Sequence, residues 1–139
     1  MARLMPELRR KICTLMSDAL ADKQHVDSIF FPLSQRAIEE IGKVVYRSQL
    51  KKYKFEINSH GVRHTKYQHP NDIEYICEIP KIVKEFTKVR LSLTKDENTG
   101  KSIQSIEFYK KYGTKEIKLV KVDLLKEKVL RLKTIFVKD

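Results

Sequence analysis

The sequence predicts an α+β fold, in which N-terminal helices precede a four- or five-stranded antiparallel sheet packed on short helices. Apolar residues recur with a helical period in the first half of the chain, and with a period of two from Thr87 onward. Short turns separate the segments of the second half, so a meander is the simplest arrangement of its strands. A chain of 139 residues that is 41% hydrophobic is long enough to bury a core.

Two helices are predicted in the first fifty residues. The first has one apolar face, made by Met5, Leu8, Ile12, Leu15 and Ala19. Residues 22–31 interrupt this pattern, and Ser34 is suited to cap a second helix with an apolar stripe of Ile38, Ile41 and Val45. We divide the chain into an N-terminal helical segment, residues 1–50, and an α+β domain, residues 51–139.

The middle of the chain contains a short strand, a histidine-rich segment and two further helices. Residues 54–57 alternate and predict the strand, and we expect the following residues to be partly loop because Gly61 and Pro70 interrupt them. Asn71 and Glu74 have the spacing of a capping box, which predicts a third helix. Pro80 suits the first position of a fourth.

Four strands are predicted after Thr87. In the strand at residues 117–125 the alternation slips, as it does at a β-bulge. One face of the sheet is expected to pack on the helices, through Val89, Leu91, Leu93, Ile106, Phe108, Leu130 and Leu132. The opposite face then collects Arg90, Ser92, Glu107, Tyr109, Arg131 and Lys133. These groups suit a phosphate-binding surface, and the alternative is the ordinary solvated face of a two-layer domain.

The charge balance favours an anionic partner. Lys and Arg number 29 against 18 Asp and Glu, and the formal net charge is +11. Such an excess is typical of proteins that bind nucleic acid, anionic membranes or acidic proteins, although a lysine-rich solvated surface is the plainer interpretation. No apolar run reaches membrane-spanning length and no signal peptide is evident, so we expect a cytosolic protein or a piece of a larger exported one.

Three of the four histidines lie within ten residues, at His60, His64 and His69. Imidazoles exchange protons near neutral pH, and two of them, or one with Glu107, would supply a general base and a general acid. Arg63, Lys66 and Arg131 could stabilise a negatively charged phosphate. The five-residue spacing of His64 and His69 is not that of two helical metal ligands, and Cys13 and Cys77 are too scattered for a zinc site or a disulfide framework. We therefore expect neither a metal nor a cofactor.

Residues 55–139 contain a series of short motifs in a fixed order: Arg63-His64, His69-Pro70, Asn71-Asp72-Ile73-Glu74-Tyr75-Ile76, Ile79-Pro80-Lys81-Ile82-Val83, a hairpin, Ile106-Glu107-Phe108-Tyr109-Lys110 and Leu130-Arg131-Leu132-Lys133-Thr134-Ile135-Phe136. This order resembles the phage-associated and polymorphic-toxin branch of the barnase–EndoU–colicin E5/D–RelE-like (BECR) nucleases. The resemblance implies a metal-independent ribonuclease, in many members a toxin tip neutralised by an immunity protein or antitoxin. Residues 1–50 lie outside it.

On this resemblance, His64 and His69 match the histidine motif and Thr134 matches a threonine of the last strand. Lys110 and Arg131 fall where basic residues often lie. Thr134 has the same strand parity as Leu130 and Leu132, so a bulge or the strand end must expose it, or this threonine is structural.

The function that we expect is that of a metal-independent ribonuclease toxin, with transfer RNA as the first substrate to test on family grounds. The candidate catalytic residues are His64, His69, Thr134, Arg131, Glu107 and Tyr109, and the candidate RNA-binding residues are Arg63, Lys66, Arg90, Lys110 and Lys133. The expected partners are RNA and an acidic immunity protein or antitoxin, and the expected place of action is the bacterial cytoplasm, after secretion or delivery within a larger toxin.

One alternative is a non-catalytic RNA-binding domain that stacks bases on Tyr53, Tyr67, Tyr109 and Tyr112. Another is a protein-interaction module with an acidic partner.

Overall fold

A computed structural model describes residues 4–21, 23, 26–45, 49–95, 99–112, 116–125 and 128–138. Its α+β architecture, with an N-terminal helix preceding the sheet, confirms the predicted fold class. The helices are α1 (Leu4–Leu20), α2 (Gln35–Val44), α3 (Ser59–Gln68) and α4 (Ile79–Glu85), with 3₁₀ helices at Leu50–Lys52 and Pro70–Glu78. The strands are β1 (Ile29–Pro32), β2 (Lys54–Ile57), β3 (Lys88–Lys95), β4 (Ser102–Tyr112), β5 (Glu116–Leu125) and β6 (Val129–Lys138).

The sheet has six strands in the order β1-β2-β6-β5-β4-β3. Strands β3 to β6 form the predicted antiparallel meander. The sheet has more strands than the four or five predicted, because β1 pairs with β2 and extends it. It is also not wholly antiparallel, because β2 joins β6 in parallel. Strand β1 is only four residues long, and so short a segment carries little periodic signal. The predicted boundary near residue 50 falls between β1 and β2, two strands that pair with each other.

One face of the sheet, the core face, packs on the helices. Two of its register rows, Ile106–Val122–Leu132 and Phe108–Val120–Ile135, are almost fully buried. The ring of Phe55 contacts those of Phe31 and Phe108, so residues from both halves of the chain share this core. Leu93 was expected here, but it is 64% exposed because it lies near the end of the edge strand β3.

A bulge in β6 reverses the faces toward which the side chains at the end of that strand point. Val122 pairs with Leu132 while the preceding Lys121 pairs with Thr134, so Lys133 is the extra residue. The predicted slip was assigned to residues 117–125, and this was wrong. The core positions of β5 alternate regularly, whereas the buried Leu132 and Ile135 of β6 are three positions apart. Thr134 thereby moves from the face of Leu132 to the opposite face, which we call the open face, in register with Lys121 and Glu107.

Helix α3 covers the part of the β6 edge that β2 leaves free, and this is the segment expected to be partly loop. Asn58 caps α3 by accepting a 2.8 Å hydrogen bond from the backbone N–H of Gly61. A Cβ atom at Gly61 would lie 2.8 Å from the carbonyl oxygen of Leu132, so the glycine permits close packing against the strand. Asp72 accepts a 3.0 Å hydrogen bond from the backbone N–H of Val137, which satisfies a further donor of the edge.

Of the two other helix caps that the sequence predicts, one forms and one does not. The hydroxyl of Ser34 accepts a 3.1 Å hydrogen bond from the N–H of Ala37, as predicted for the start of α2. The capping box at Asn71 does not form, because the 3₁₀ helix begins one residue earlier, at Pro70, with His69 as its N-cap.

A disulfide links Cys13 of α1 to Cys77 of the 3₁₀ helix 70–78, with 5.1 Å between their Cα atoms. The prediction that these cysteines are too scattered for a disulfide framework was wrong for this pair, because the packing of the two helices brings together residues 64 positions apart. No helix in the described part of the chain is long and apolar enough to cross a membrane.

Candidate functional site

A row of polar residues crosses four neighbouring strands on the open face. Glu56 of β2 faces Arg131 of β6, which faces Asp123 of β5, which in turn faces Ser105 of β4. The Nε of Arg131 donates a 2.7 Å hydrogen bond to the Glu56 carboxylate, and the hydroxyl of Ser105 donates a bond of the same length to Asp123. We call these four residues the polar row.

Within the described part of the chain, a side-chain hydrogen bond to Glu56 anchors the guanidinium of Arg131 on one side. The side chain of Glu56 is 8% exposed, whereas that of Arg131 is 42% exposed. Because arginine carries five N–H donors in a planar fork and Nε is bonded to Glu56, the terminal N–H groups remain suited to bind a phosphate. The polar row therefore holds a cation in a defined orientation.

His64 lies on α3, beside the bulge that contains Lys133. Partial burial lowers the pKa of His64 below its ordinary value of 6.5. The charges of Lys133, His60 and His69 lower that pKa further, and Asp123 opposes them. A lowered pKa leaves the imidazole neutral at neutral pH, so it is able to accept a proton.

The other two residues of the nuclease-like motif are packed against their neighbours. The ring of His69 stacks on that of Phe136, with 4.5 Å between centroids. Thr134 is 5% exposed, and its hydroxyl lies 3.5 Å from that of Thr65 on α3. The bulge thus turns Thr134 toward the open face, but α3 packs against its side chain. The threonine is in a structural position.

A second cluster lies in the neighbouring rows of the open face. The hydroxyl of Tyr109 donates a 2.9 Å hydrogen bond to Glu107. Burial and the Glu107 carboxylate raise the pKa of Tyr109, and Arg90 opposes this effect, so the phenol stays protonated at neutral pH. Lys88 lies 4.9 Å from the centre of the Tyr109 ring. Glu107 is two positions along β4 from Ser105, about 7 Å on the same face.

Two predicted phosphate-binding residues point away from the polar row. The guanidinium of Arg63 bonds to the carbonyl oxygens of Ala19 and Lys23, at 3.3 and 3.4 Å, and so binds the C-terminal end of α1. Lys110 forms a 3.3 Å ion pair with Glu85 of α4, on the side of the sheet that carries the helices. Lys66 is exposed on α3, Arg90 lies on the open face, and Lys133 is the extra residue of the bulge in β6.

Two of the tyrosines proposed to stack on bases cannot present their rings. Tyr53 and Tyr109 are 4% and 5% exposed. Tyr67 is 87% exposed, and the side chain of Tyr112 lies outside the described residues.

The sequence analysis missed Glu56, Asp123 and Ser105 as members of a site. Asp123 carried a usable signal, because a carboxylate that follows Val122 and precedes Leu124 requires a partner. For Glu56 the only signal was the alternation of β2. This pattern predicts the face on which Glu56 lies and does not predict its partner. Its contact with Arg131 depends on the parallel pairing of β2 with β6.

Among the described residues, no group of three or more His, Cys, Asp and Glu side chains is arranged to hold a metal ion. No protein-family model matches this chain, and neither a curated protein nor a solved structure shows a significant similarity to it.

Proposed function

We propose that this protein is a metal-independent endoribonuclease whose active site is the open face around His64 and Arg131. The proposal rests on the position of His64 beside the charges of Lys133 and Asp123. Asp123 is in register with Arg131, whose Nε is bonded to the buried carboxylate of Glu56. An imidazole that is neutral near pH 7 is able to act as a general base, and neighbouring cations stabilise the negative charge of the transition state.

In the proposed reaction, His64 takes the proton of the ribose 2′-hydroxyl. The 2′-oxygen forms a bond to phosphorus, and Arg131 and Lys133 stabilise the negative charge of the pentavalent phosphate. The bond from phosphorus to the 5′-oxygen breaks, and His69 donates a proton to that oxygen. The products are a 2′,3′-cyclic phosphate and a 5′-hydroxyl end, and the sequence of steps requires no external oxidant, reductant or cofactor.

Glu56 is a positioning residue in this scheme. Its carboxylate occupies the Nε–H of Arg131 and leaves the terminal N–H groups directed to the substrate. Glu107 and Arg90 lie in the next row of the open face and would contact a neighbouring nucleotide.

The experiment is incubation of the purified protein with total RNA, and with transfer RNA alone, in EDTA. Discrete fragments with 2′,3′-cyclic phosphate ends are expected from the wild type and not from His64→Ala. Lys43→Ala, on the exposed side of α2, is the control and should cleave like the wild type. Intact RNA after incubation with folded wild-type protein would refute the proposal.

A non-catalytic RNA-binding domain is the second candidate, because cations line the open face, among them Lys88, Arg90, Lys121 and Arg131. It predicts salt-dependent RNA binding without cleavage in the same experiment. In either case we propose that an acidic protein, such as an immunity protein or antitoxin, covers this face. As a toxin, the protein would act in the bacterial cytoplasm after delivery.

A further inference from the structure

A cavity of about 450 Å³ lies on the helix side of the sheet, remote from the polar row. It is lined by apolar side chains from α1, β1, β2, α4 and the β1–α2 connection: Leu8, Phe31, Leu33, Phe55, Pro80 and Val83. A second cavity of about 430 Å³ adjoins it and shares Pro80 and Lys84. The volume is within the range of pockets that enclose small molecules.

Of the α1 side chains that the structure describes, those that pack closely lie in the C-terminal half of the helix. Ile12, Leu15 and Ala19 are buried there, and the Cys13–Cys77 disulfide fastens the same half. Toward the N-terminus Leu8 is only partly buried. The apolar surface between this end of α1, α4 and β1 is therefore incompletely filled.

Two lysines, Lys11 of α1 and Lys84 of α4, line the same cavity. Both are exposed, and among the described residues neither has an ion pair. Glu7, which also lines the cavity, lies 4.0 Å from Arg10. The cavity thus presents an apolar interior with available positive charge at its edge.

We propose that this cavity binds a free amphiphile with an apolar chain and a single carboxylate. The chain would lie against Phe31, Phe55 and Val83, and the carboxylate would lie near Lys11 and Lys84. Burial of the chain supplies most of the affinity, and the lysines select a negative head group. This inference does not depend on the proposed ribonuclease activity.

The test is isothermal titration of the full-length protein with decanoate, compared with decanol and decyltrimethylammonium. Decanoate should bind saturably at one site, and more tightly than either of the other two. The double reversal Lys11→Glu/Lys84→Glu should weaken decanoate binding by about tenfold and leave decanol unaffected. Both lysines are on the surface, so this variant should fold.

A second variant, Leu8→Trp, should fill the cavity and weaken both decanoate and decanol. The proposal is overturned if decanoate shows no saturable binding, or if the charge reversal leaves its affinity unchanged. It is equally overturned if only phosphatidylglycerol vesicles bind in a Leu8-dependent manner, because the surface would then recognise a membrane and not a free amphiphile.

Discussion

Glu56 and Arg131 face each other across the parallel pair β2 and β6, joined by a 2.7 Å hydrogen bond between a buried carboxylate and a half-exposed guanidinium. The residues come from opposite ends of the 51–139 segment. The carboxylate fixes the plane of the guanidinium, and solvent reaches its other side. A half-exposed arginine is thereby held in one orientation, and under the proposed function its terminal N–H groups bind the phosphate.

Glu56→Gln should reduce RNA cleavage by about tenfold to a hundredfold, because Arg131 loses its charged anchor. It should lower the free energy of unfolding by about 2 kcal/mol, between the costs for a surface and a fully buried ion pair. Single-turnover cleavage and urea unfolding measure these effects. If Glu56 acts through Arg131, Glu56→Gln/Arg131→Ala should cleave no more slowly than Arg131→Ala, and additive losses would contradict the positioning role.

His64→Ala should lower the cleavage rate by about 10²–10⁴-fold with little change in RNA affinity, because a general base acts on the reaction and not on binding. Rates from single-turnover assays and affinities from filter binding separate the two. His60→Ala, one turn earlier on α3, is the matched control and should retain most of the activity. Equal losses in both variants would indicate a structural role for the histidines.

Lys133→Gln and Asp123→Asn should shift the pKa of His64 in opposite directions. The charge of Lys133 lowers this pKa and that of Asp123 raises it, so removing the lysine raises it and removing the carboxylate lowers it further. NMR titration of the His64 imidazole measures both shifts without reference to activity. Shifts of the same sign would show that His64 does not lie between these two charges.

The same lowered pKa makes stability depend on pH. The unfolded state binds a proton at about the ordinary value of 6.5, above the pKa of folded His64. The free energy of unfolding should therefore be highest above that value and fall as the pH decreases toward the folded pKa. His64→Gln should lose less stability over this interval in urea unfolding, and an identical loss would contradict the assignment.

Gly61→Ala should destabilise the protein by about 1–3 kcal/mol, because the added Cβ would meet the backbone carbonyl of Leu132 at 2.8 Å and push α3 from β6. Gly42→Ala is the matched control. Gly42 lies in α2, 3.8 Å from its nearest neighbour, so alanine should be neutral or add up to about 1 kcal/mol. Thermal unfolding distinguishes the two, and equal effects would show that α3 is not closely packed.

Reduction of the Cys13–Cys77 disulfide, or Cys13→Ser/Cys77→Ser, should lower the free energy of unfolding by about 4 kcal/mol. The bond closes a loop of 64 residues, and its loss restores conformational freedom to the unfolded chain. Urea unfolding with and without dithiothreitol measures the change. The double serine variant should be insensitive to the reductant, and an insensitive wild type would mean that the cysteines are not joined in solution.

Local patterns in the sequence determined the elements that local interactions stabilise. The apolar stripe of α1, the Ser34 cap of α2 and the alternation of β3 to β6 involve residues close together in the chain, so their periodicity was sufficient to identify them. The bulge is an exception, because it was predicted in β5 and the extra residue is Lys133 of β6. The α+β class follows because a helical period in the first half of the chain is succeeded by a strand period in the second.

Tertiary packing decided the contacts between distant segments. Glu56 meets Arg131 only because β2 pairs in parallel with β6, and Cys13 meets Cys77 only because α1 lies beside the 3₁₀ helix 70–78. Packing likewise brings Arg63 to the C-terminal end of α1 and brings Lys110 to Glu85. Each such contact is stabilised by groups far apart in sequence, and no local pattern encodes which partner a side chain will reach.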